Sequence, residues 1–591
     1  MARSKPQLDR LALIFRRQTA FSIVAFLLTL FCLLAAGVVC LTPVATSDLG
    51  WHLRAGRYIA QTRSIPRVDF MSWTKQGAAW VDFEWLSQLI FYGLDRAGGA
   101  ALLWAFKSAG FGVILFLWTR LLALWRLPRG WIIGALPLAA VTLLAYVEAR
   151  PELFSFCFAL VELRLLESLR LGLRRDWRRM GALHLVGYAL WANLHAGFLV
   201  GFGLCAVYAL GAWCGGKAGF EDEPEPSARP RCFLGLLGWA LLGSIGTPYG
   251  LATYGLLWRL WLQHGEMAAY ILEWMPPILS NAFERGYWVI VLLSFGTFLT
   301  RSYYRRQSPA THVLLLLLVS LAACRTYRMT AYVCLIVLPV ALRALYDLPA
   351  PAWWRRIKYA ALTLGAAALM STEPRLLAAK HLFEGFKESD RLEPAGGCAF
   401  LKREKDVLAP LRLYNSWNWG GYLDYALGND FRTFIDGRYL FTEFLPEIDS
   451  INSEPGLWYR FLDAHGIELA FTETKNPMLV GVPGQSPPRP FLAVAMPKQT
   501  WALVYFDHQA SIWVRRARVP GRWLKKHEFR FLIPRDLMAL EMALRAGRVG
   551  VKPIVEEIVR YRREIGDPEE SQRLQAWLAG LKPLPLQRHG P

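Results

Sequence analysis

Uncharged apolar runs alternate with short polar segments over the first two-thirds of the chain. The runs lie near 18–41, 101–119, 130–147, 152–169, 182–193, 196–213, 232–247, 286–300, 310–324, 329–346 and 357–372. They predict about eleven membrane-spanning helices. Several are shorter than the ~20 residues of a perpendicular span, so they are expected to be tilted, broken or packed at a cavity rim. The run 251–264 carries Trp258, Arg259, Trp261 and His264, which favour an interfacial helix.

The periodicity changes after residue 373. A polar linker over 373–394 precedes short runs that alternate like strands, at 411–415, 432–436 and 467–473. Residues 501–516 read as a hairpin and 454–465 as a helix. These predict an α/β domain over 395–520. A helical tail over 521–591 should hold helices near 535–546, 552–565 and 568–580, the last opened by Asp567-Pro568.

Composition agrees with a polytopic membrane protein. Of 591 residues, 54% are hydrophobic and 25 are Trp. The net charge of +21 would suit nucleic acid, but the basic residues sit in short segments between apolar runs. That is the positive-inside pattern, and it points to the lipid bilayer as partner and away from nucleic acid. Arg10, Arg16 and Arg17 place the N-terminus in the cytoplasm. Parity then makes 120–129, 170–181, 214–231, 301–309 and 347–356 cytoplasmic, each with Lys or Arg, and puts the C-terminal domain outside. The first run is too long for a signal-peptide core and lacks a small-x-small cleavage site, so it reads as an uncleaved helix. The nine cysteines form neither a disulfide framework nor a metal-type spacing.

With this topology, polar side chains gather at the outer helix ends, above simple basic inner loops. They include Asp48, His52, Arg54, Asp82 and Glu84 in the first outer loop (46–98), and Arg150 within EARPE at 148–152. Asn193 and His195 interrupt an apolar run as WANLHAGF, Tyr249 stands in GTPYG, and Arg325 and Arg328 close a later run. Polar groups at membrane depth are costly unless they serve a cavity or a function. A carboxylate here could be a general base, and the arginines could take a lipid phosphate. Each residue has a plainer reading. Asp48 could cap the helix beginning at Leu49, and Asp82 and Glu84 could pair with Arg63 or Arg67. His195 could end a helix, and Arg325 and Arg328 could snorkel.

The first loop contains D-L-x-W-H-L-R-x-G at 48–56, I-P-R-x-D-x-x-S at 65–72 and W-V-D-x-E-W-L at 80–86. W-x-N-x-H-x-G-F follows at 191–198 and P-Y-G at 248–250. N-x-W-x-x-G-G-Y-L stands at 415–423 and F-I-D-G-R at 434–438. In these residues the chain resembles the GT-C superfamily of polytopic glycosyltransferases, and within it a bacterial branch of membrane proteins. The resemblance implies a GT-C-like transmembrane core over 1–372, juxtamembrane helices in the first loop and a periplasmic α/β domain. It implies a transferase of the bacterial inner membrane using a polyprenyl-phosphate-linked sugar and a lipid, glycan or protein acceptor, with inversion. Asp48 matches the first acidic position and Glu84 the second. His52, Arg54, Asp82, Arg150, Asn193, His195, Tyr249, Arg325 and Arg328 would bind substrate. Leu49 stands where many relatives carry a second carboxylate. Asp82 and Glu84 could together hold a divalent metal. Two other functions stay open: a non-catalytic scaffold of an envelope glycan assembly system, and a lipid-linked glycan transporter.

Overall fold

The computed structural model describes residues 30, 47–174, 176–214, 229–279, 282–304, 307–348, 393–451, 454–475, 478–481 and 488–581. The expected spans at 357–372 and, apart from Leu30, at 18–41 lie outside the described residues, as does the linker up to residue 392. The chain forms two compact units. One comprises Met1–Val44, Gly56–Ile65 and Val81–Phe386; the other comprises Ala45–Ala55, Pro66–Trp80 and Lys387–Pro591.

The first unit is helical. Its elements are the second half of α1 (Leu49–Thr62), α2 (Trp85–Leu124), α3 (Arg129–Leu143), α4 (Glu152–Arg170), α5 (Trp177–Leu194) and α6 (Phe198–Trp213). There follow α7 (Pro230–Ser244), α8 (Ala252–Leu262), α9 (Ala282–Tyr303), α10 (Ala310–Arg325) and α11 (Tyr327–Tyr346). Each described apolar window of the sequence coincides with one of these helices. Two, α2 and α11, are long and apolar enough to cross a membrane by length and composition. Helix α2 is broken in the middle. Gly98 and Gly99 leave helical geometry, and Gly99 has φ 58° and ψ −148°, a backbone state open essentially to glycine alone. The first loop thus ends in a separate helix from Trp85 to the break, and the apolar run 101–119 follows it. Helix α11 contains a π-helical segment, Val333–Val337, whose residues are all buried. Such a segment widens one turn of a helix.

Apolar packing among α2, α3, α4, α6, α7, α10 and α11 forms one core, with Trp118, Trp125, Leu163, Phe198, Tyr208, Leu236 and Leu315 at its centre. This core encloses polar groups at the helix ends that parity assigns to the cytoplasm. Glu167 accepts from Trp125 Nε1 at 2.9 Å, His312 Nε2 at 2.9 Å and Arg170 Nη2 at 2.8 Å, and from the Tyr208 hydroxyl. Arg301 pairs with Asp347. The expected gathering of polar groups at one end only therefore does not hold. Both ends carry them, and at this end they satisfy one another inside the core.

The second unit is α/β. Strands β1 (Leu413–Asn415), β2 (Leu469–Glu473), β5 (Trp501–Phe506) and β6 (Ala510–Arg515) form a sheet in the order β1-β2-β6-β5. The first pair is parallel and the others antiparallel. A separate short pair joins β3 (Leu479–Val480) to β4 (Arg489–Pro490). Helices α12 (Ala395–Arg403), α13 (Trp417–Leu427) and α14 (Pro455–Ala464) accompany the sheet. Tail helices α15 (Leu537–Arg545), α16 (Val551–Glu564) and α17 (Pro568–Gly580) give Leu540, Leu544, Ile558, Tyr561 and Leu574 to the core that holds Trp501, Phe506 and Trp513. The Asp567 carboxylate caps α17 by accepting from the Glu570 amide at 2.8 Å.

The run 432–436 is not a strand of this sheet. The Asn415 side chain holds it instead, accepting from the Phe434 amide at 2.8 Å and donating to the Ile435 carbonyl at 2.7 Å. Thr433 makes a single parallel bridge to Ser72 of the first loop. Residues 66–80 are thus part of this unit's fold. The Trp73 indole donates to the Leu413 carbonyl at 2.8 Å, and its amide to the Thr433 carbonyl at 3.0 Å.

Candidate active site

The expected site residues divide between the units. Asp48, His52 and Arg54 belong to the second; Asp82, Glu84, Arg150, Asn193, His195, Tyr249, Arg325 and Arg328 belong to the first.

Asp48 stands immediately before α1. Its Oδ1 accepts from the Trp51 indole at 3.3 Å. Gly437 of F-I-D-G-R makes room for it, since a Cβ there would lie 2.3 Å from Asp48 Oδ1. Gly50 and Gly421 bring α1 and α13 into backbone contact, and a Cβ on Gly50 would lie 2.1 Å from the Gly421 carbonyl oxygen. Four motifs noted in the sequence therefore interlock here. The glycines serve close approach, and the acidic and basic residues serve a buried cluster. Arg438 donates to Asp69 at 2.7 Å and to Asp436 at 2.6 Å, and its guanidinium lies 4.6 Å from the Trp80 ring centroid. Asp69 also accepts from Ser72 Oγ at 2.6 Å. Asp424 accepts from Thr433 Oγ1 at 2.8 Å. Burial raises the Asp424 carboxyl well above its usual range, and the charge of Asp436 adds to this. His52 and Arg54 are buried, with the His52 ring 3.6 Å from the Trp51 ring and Arg54 donating to the Asn429 side chain.

In the first unit, Glu84 and His195 lie close, with Glu84 Oε1 3.7 Å from His195 Nε2. The ring's other nitrogen fixes its proton. Ser155 Oγ accepts from the Trp191 indole at 2.7 Å and lies 2.7 Å from His195 Nδ1, while the Gly197 amide donates to that nitrogen at 3.1 Å. Nδ1 is therefore the acceptor, and the neutral ring carries its proton on Nε2, facing Glu84. Burial, helped by the charge of Arg328, holds the imidazole down at about 3, so the ring is neutral at ordinary pH. The contact is an N–H facing a carboxylate across 3.7 Å, and not an ion pair.

Asn193 acts as a bracket. Its carbonyl accepts from the Trp85 indole at 2.6 Å, and its amide donates to the carbonyls of Ala189 at 2.7 Å and Gly246 at 2.9 Å. It ties the start of α2 to α5 and to the turn holding Tyr249. Ser87 adds a bond to the Leu194 carbonyl at 2.7 Å. Asp82 is buried and accepts from the Gln88 side chain.

Arg150 and Arg328 meet on a single carboxylate. Glu273 pairs with Arg150 and lies 3.1 Å from Arg328 Nε, while Arg150 also pairs with Glu148 at 3.0 Å. Burial raises the Glu273 carboxyl, but the guanidiniums of Arg328 and Arg150 outweigh it and hold the group at about 2. Arg325 is exposed at the end of α10, and Tyr249 is half-buried in the turn after α7.

Among the described residues, one set of three candidate metal-ligating side chains lies within mutual reach: Glu162, His184 and Cys205, buried in the helical core. Their hydrogen bonds to one another account for them, with His184 Nε2 at 3.1 Å and Cys205 Sγ at 3.0 Å from Glu162 Oε1. Asp82 and Glu84 take part in no such set among the described residues. No step below runs through a metal.

No family model matches the sequence, and no curated protein matches it. Solved structures do. The oligosaccharyltransferase of Archaeoglobus fulgidus, tethered with an acceptor peptide containing the NVT sequon, superposes with a TM-score of 0.50 at 12% identity. The match covers 91% of this chain and 87% of that one. The archaeal oligosaccharyltransferase AglB from Archaeoglobus fulgidus, in complex with an inhibitory peptide and a dolichol-phosphate, gives 0.46 at 11% identity over 76% and 69%. ArnT of Cupriavidus metallidurans bound to undecaprenyl phosphate gives 0.44 at 14% identity over 85% and 98%. The chain shares its fold with this tethered archaeal oligosaccharyltransferase.

Proposed function

We propose that the protein is a membrane glycosyltransferase that moves a sugar from a polyprenyl-phosphate donor to a lipid, glycan or protein acceptor on the extracytoplasmic side, with inversion. The observation that carries the reading is the setting of Asp48: a carboxylate directly after the first apolar run, seated against Gly437 and bonded to Trp51. The likeness of nearly the whole chain to the fold of an oligosaccharyltransferase tethered with an acceptor peptide supports it.

In this mechanism Asp48 takes the proton of the acceptor hydroxyl as that oxygen bonds to the sugar's anomeric carbon. The bond from that carbon to the donor phosphate breaks, and the polyprenyl phosphate leaves. Arg150, Arg325 and Arg328 stabilise the charge developing on the phosphate. Glu84 assists, its orientation set by His195. His52, Arg54, Asp82 and Tyr249 bind substrate, and Asn193 ties the start of α2 to α5. The setting is the bacterial inner membrane, crossed about eleven times, with the N-terminus cytoplasmic and residues 395–520 in the periplasm.

The reading is tested with purified protein, labelled polyprenyl-phosphate sugars and envelope extract as acceptor. Transfer of label with release of polyprenyl phosphate is the expected result, together with accumulation of one lipid-linked sugar in a deletion strain. No transfer from any donor, and an unaltered lipid-linked sugar pool in that strain, would overturn it in favour of a scaffold.

A further inference from the structure

The C-terminal unit segregates its charge along the chain. Residues 443–473 hold seven carboxylates and one arginine, whereas 516–530 hold six Arg and Lys side chains and one carboxylate, Glu528. Where the two segments meet they neutralise each other, through Arg515 with Asp463 and Arg518 with Glu468 at 2.6 Å. Beyond Arg518 the chain carries no acid as far as His527.

The short helix Gly521–His527 sorts this charge by face. Arg522, Lys525 and Lys526 stand three and four positions apart, so they share one face, and all three are exposed. Trp523 and His527 share the other face. Trp523 Nε1 donates to Glu404 at 2.8 Å, and the buried His527 has its Nε2 3.5 Å from the same carboxylate. Arg560 fastens the end of the helix by donating to the Lys526 carbonyl at 2.6 Å and to the Glu528 carbonyl.

Depth sorts the charge a second time. The side chains of Glu404 and Glu528 are 15% and 5% accessible, against 56% and 62% for Arg403 and Arg530, which pair with them. Solvent therefore meets cations above recessed anions. Arg522, Lys525 and Lys526 have no carboxylate partner among the described residues. The outward field of this strip is positive.

Such a surface fits a partner with repeated negative charge. No aromatic ring is exposed among the described residues of this unit, so no stacking platform for bases or neutral sugar rings accompanies the cations. Trp523 and Leu524 are half-buried, so the short helix offers no apolar face to a bilayer. We propose that the strip from Arg522 to Arg530 binds an acidic glycan, a polymer whose charge is carried by phosphate or uronate groups. The choice of a glycan among polyanions rests on the extracytoplasmic placement proposed above; the strip itself does not, and neither requires the transfer chemistry.

The test uses the full-length protein in non-ionic detergent. Oligogalacturonate and poly(glycerol phosphate) are titrated, with neutral dextran, single-stranded DNA and phosphatidylglycerol vesicles in parallel. The loops between the apolar runs are basic too, so variants decide and bare binding does not. Saturable, salt-sensitive binding of the acidic glycans is expected, with none of dextran. Arg522→Gln with Lys525→Gln and Lys526→Gln should weaken it at least about tenfold and flatten its salt dependence, with melting unchanged. Lys525→Glu with Lys526→Glu gives the same readout independently. Acidic-glycan affinity equal to wild type in both variants would overturn the site. A loss confined to DNA or to vesicles would overturn the partner while leaving the strip.

Discussion

The Arg438 guanidinium donates to the Asp69 carboxylate at 2.7 Å inside the C-terminal unit. This bond joins two motifs that lie 369 residues apart in the chain. Arg438, Asp69 and Asp436 are all essentially inaccessible to solvent. Removing the cation leaves buried carboxylates uncompensated, at a cost of about 3–5 kcal/mol. Arg438→Ala is therefore expected to lower the melting temperature sharply and to expose residues 66–80 to protease. A full-length variant with wild-type melting and protease resistance would show that the cluster does not hold this loop.

Asp424 belongs to the same cluster, and burial with the Asp436 charge raises its carboxyl. The folded state therefore keeps a proton there that the unfolded chain releases near pH 3.8. With more protons bound to the folded form, this group's contribution to stability is present at low pH and falls as pH rises through the raised value. Asp424→Asn fixes the neutral form and should abolish that dependence, which melting curves from pH 5 to 8 measure.

His195 makes the opposite case. Its folded value is about 3 against 6.5 unperturbed, so between those values the unfolded chain binds a proton that the folded form refuses. Stability from this site is full above 6.5 and declines as pH falls towards 3. In NMR of histidine-labelled protein, the His195 ring is expected to remain the neutral Nε2–H tautomer from pH 8 to 5. Titration near pH 6.5 would contradict the lowered value, and a neutral Nδ1–H tautomer would refute the assignment made from Ser155 and Gly197.

The shared carboxylate of Arg150 and Arg328 gives a kinetic prediction. If these residues take the donor phosphate, Arg150→Lys and Arg328→Lys each lose forked hydrogen bonding while keeping charge. A charge-assisted bond is worth about 1.5–3 kcal/mol, so donor KM should rise roughly ten- to a hundredfold. Glu273→Gln weakens the anchor that both guanidiniums share, leaving Arg150 its pair with Glu148, and should also raise donor KM. Unchanged donor KM in all three variants would place the phosphate elsewhere.

Helix positions were legible because uncharged runs have few alternatives, and the tail helix α17 was legible from its Asp-Pro start. The hairpin β5–β6 was legible in the run 501–516, although its strands are buried on both faces and do not alternate strictly. Residues 432–436 misled because Phe434 and Ile435 have strand-forming side chains, yet their burial comes from the core and their backbone bonds from the Asn415 side chain. The Gly98–Gly99 break lay unremarked in the sequence, since two glycines beside an apolar run specify no conformation alone. Least legible was the distribution of the first loop. Nothing local to residues 66–80 announces a partner near residue 438, because a buried ion pair leaves no periodic trace. Glu273 was legible as a polar residue near an outer helix end, but not as the receiver of two distant arginines.

In the proposed function Asp48 is the base. Asp48→Asn keeps the shape beside Gly437 and the bond from Trp51 while removing the basic oxygen. In the purified transfer assay, with melting unchanged, turnover should fall at least about a hundredfold. Turnover equal to wild type in that variant would contradict the account.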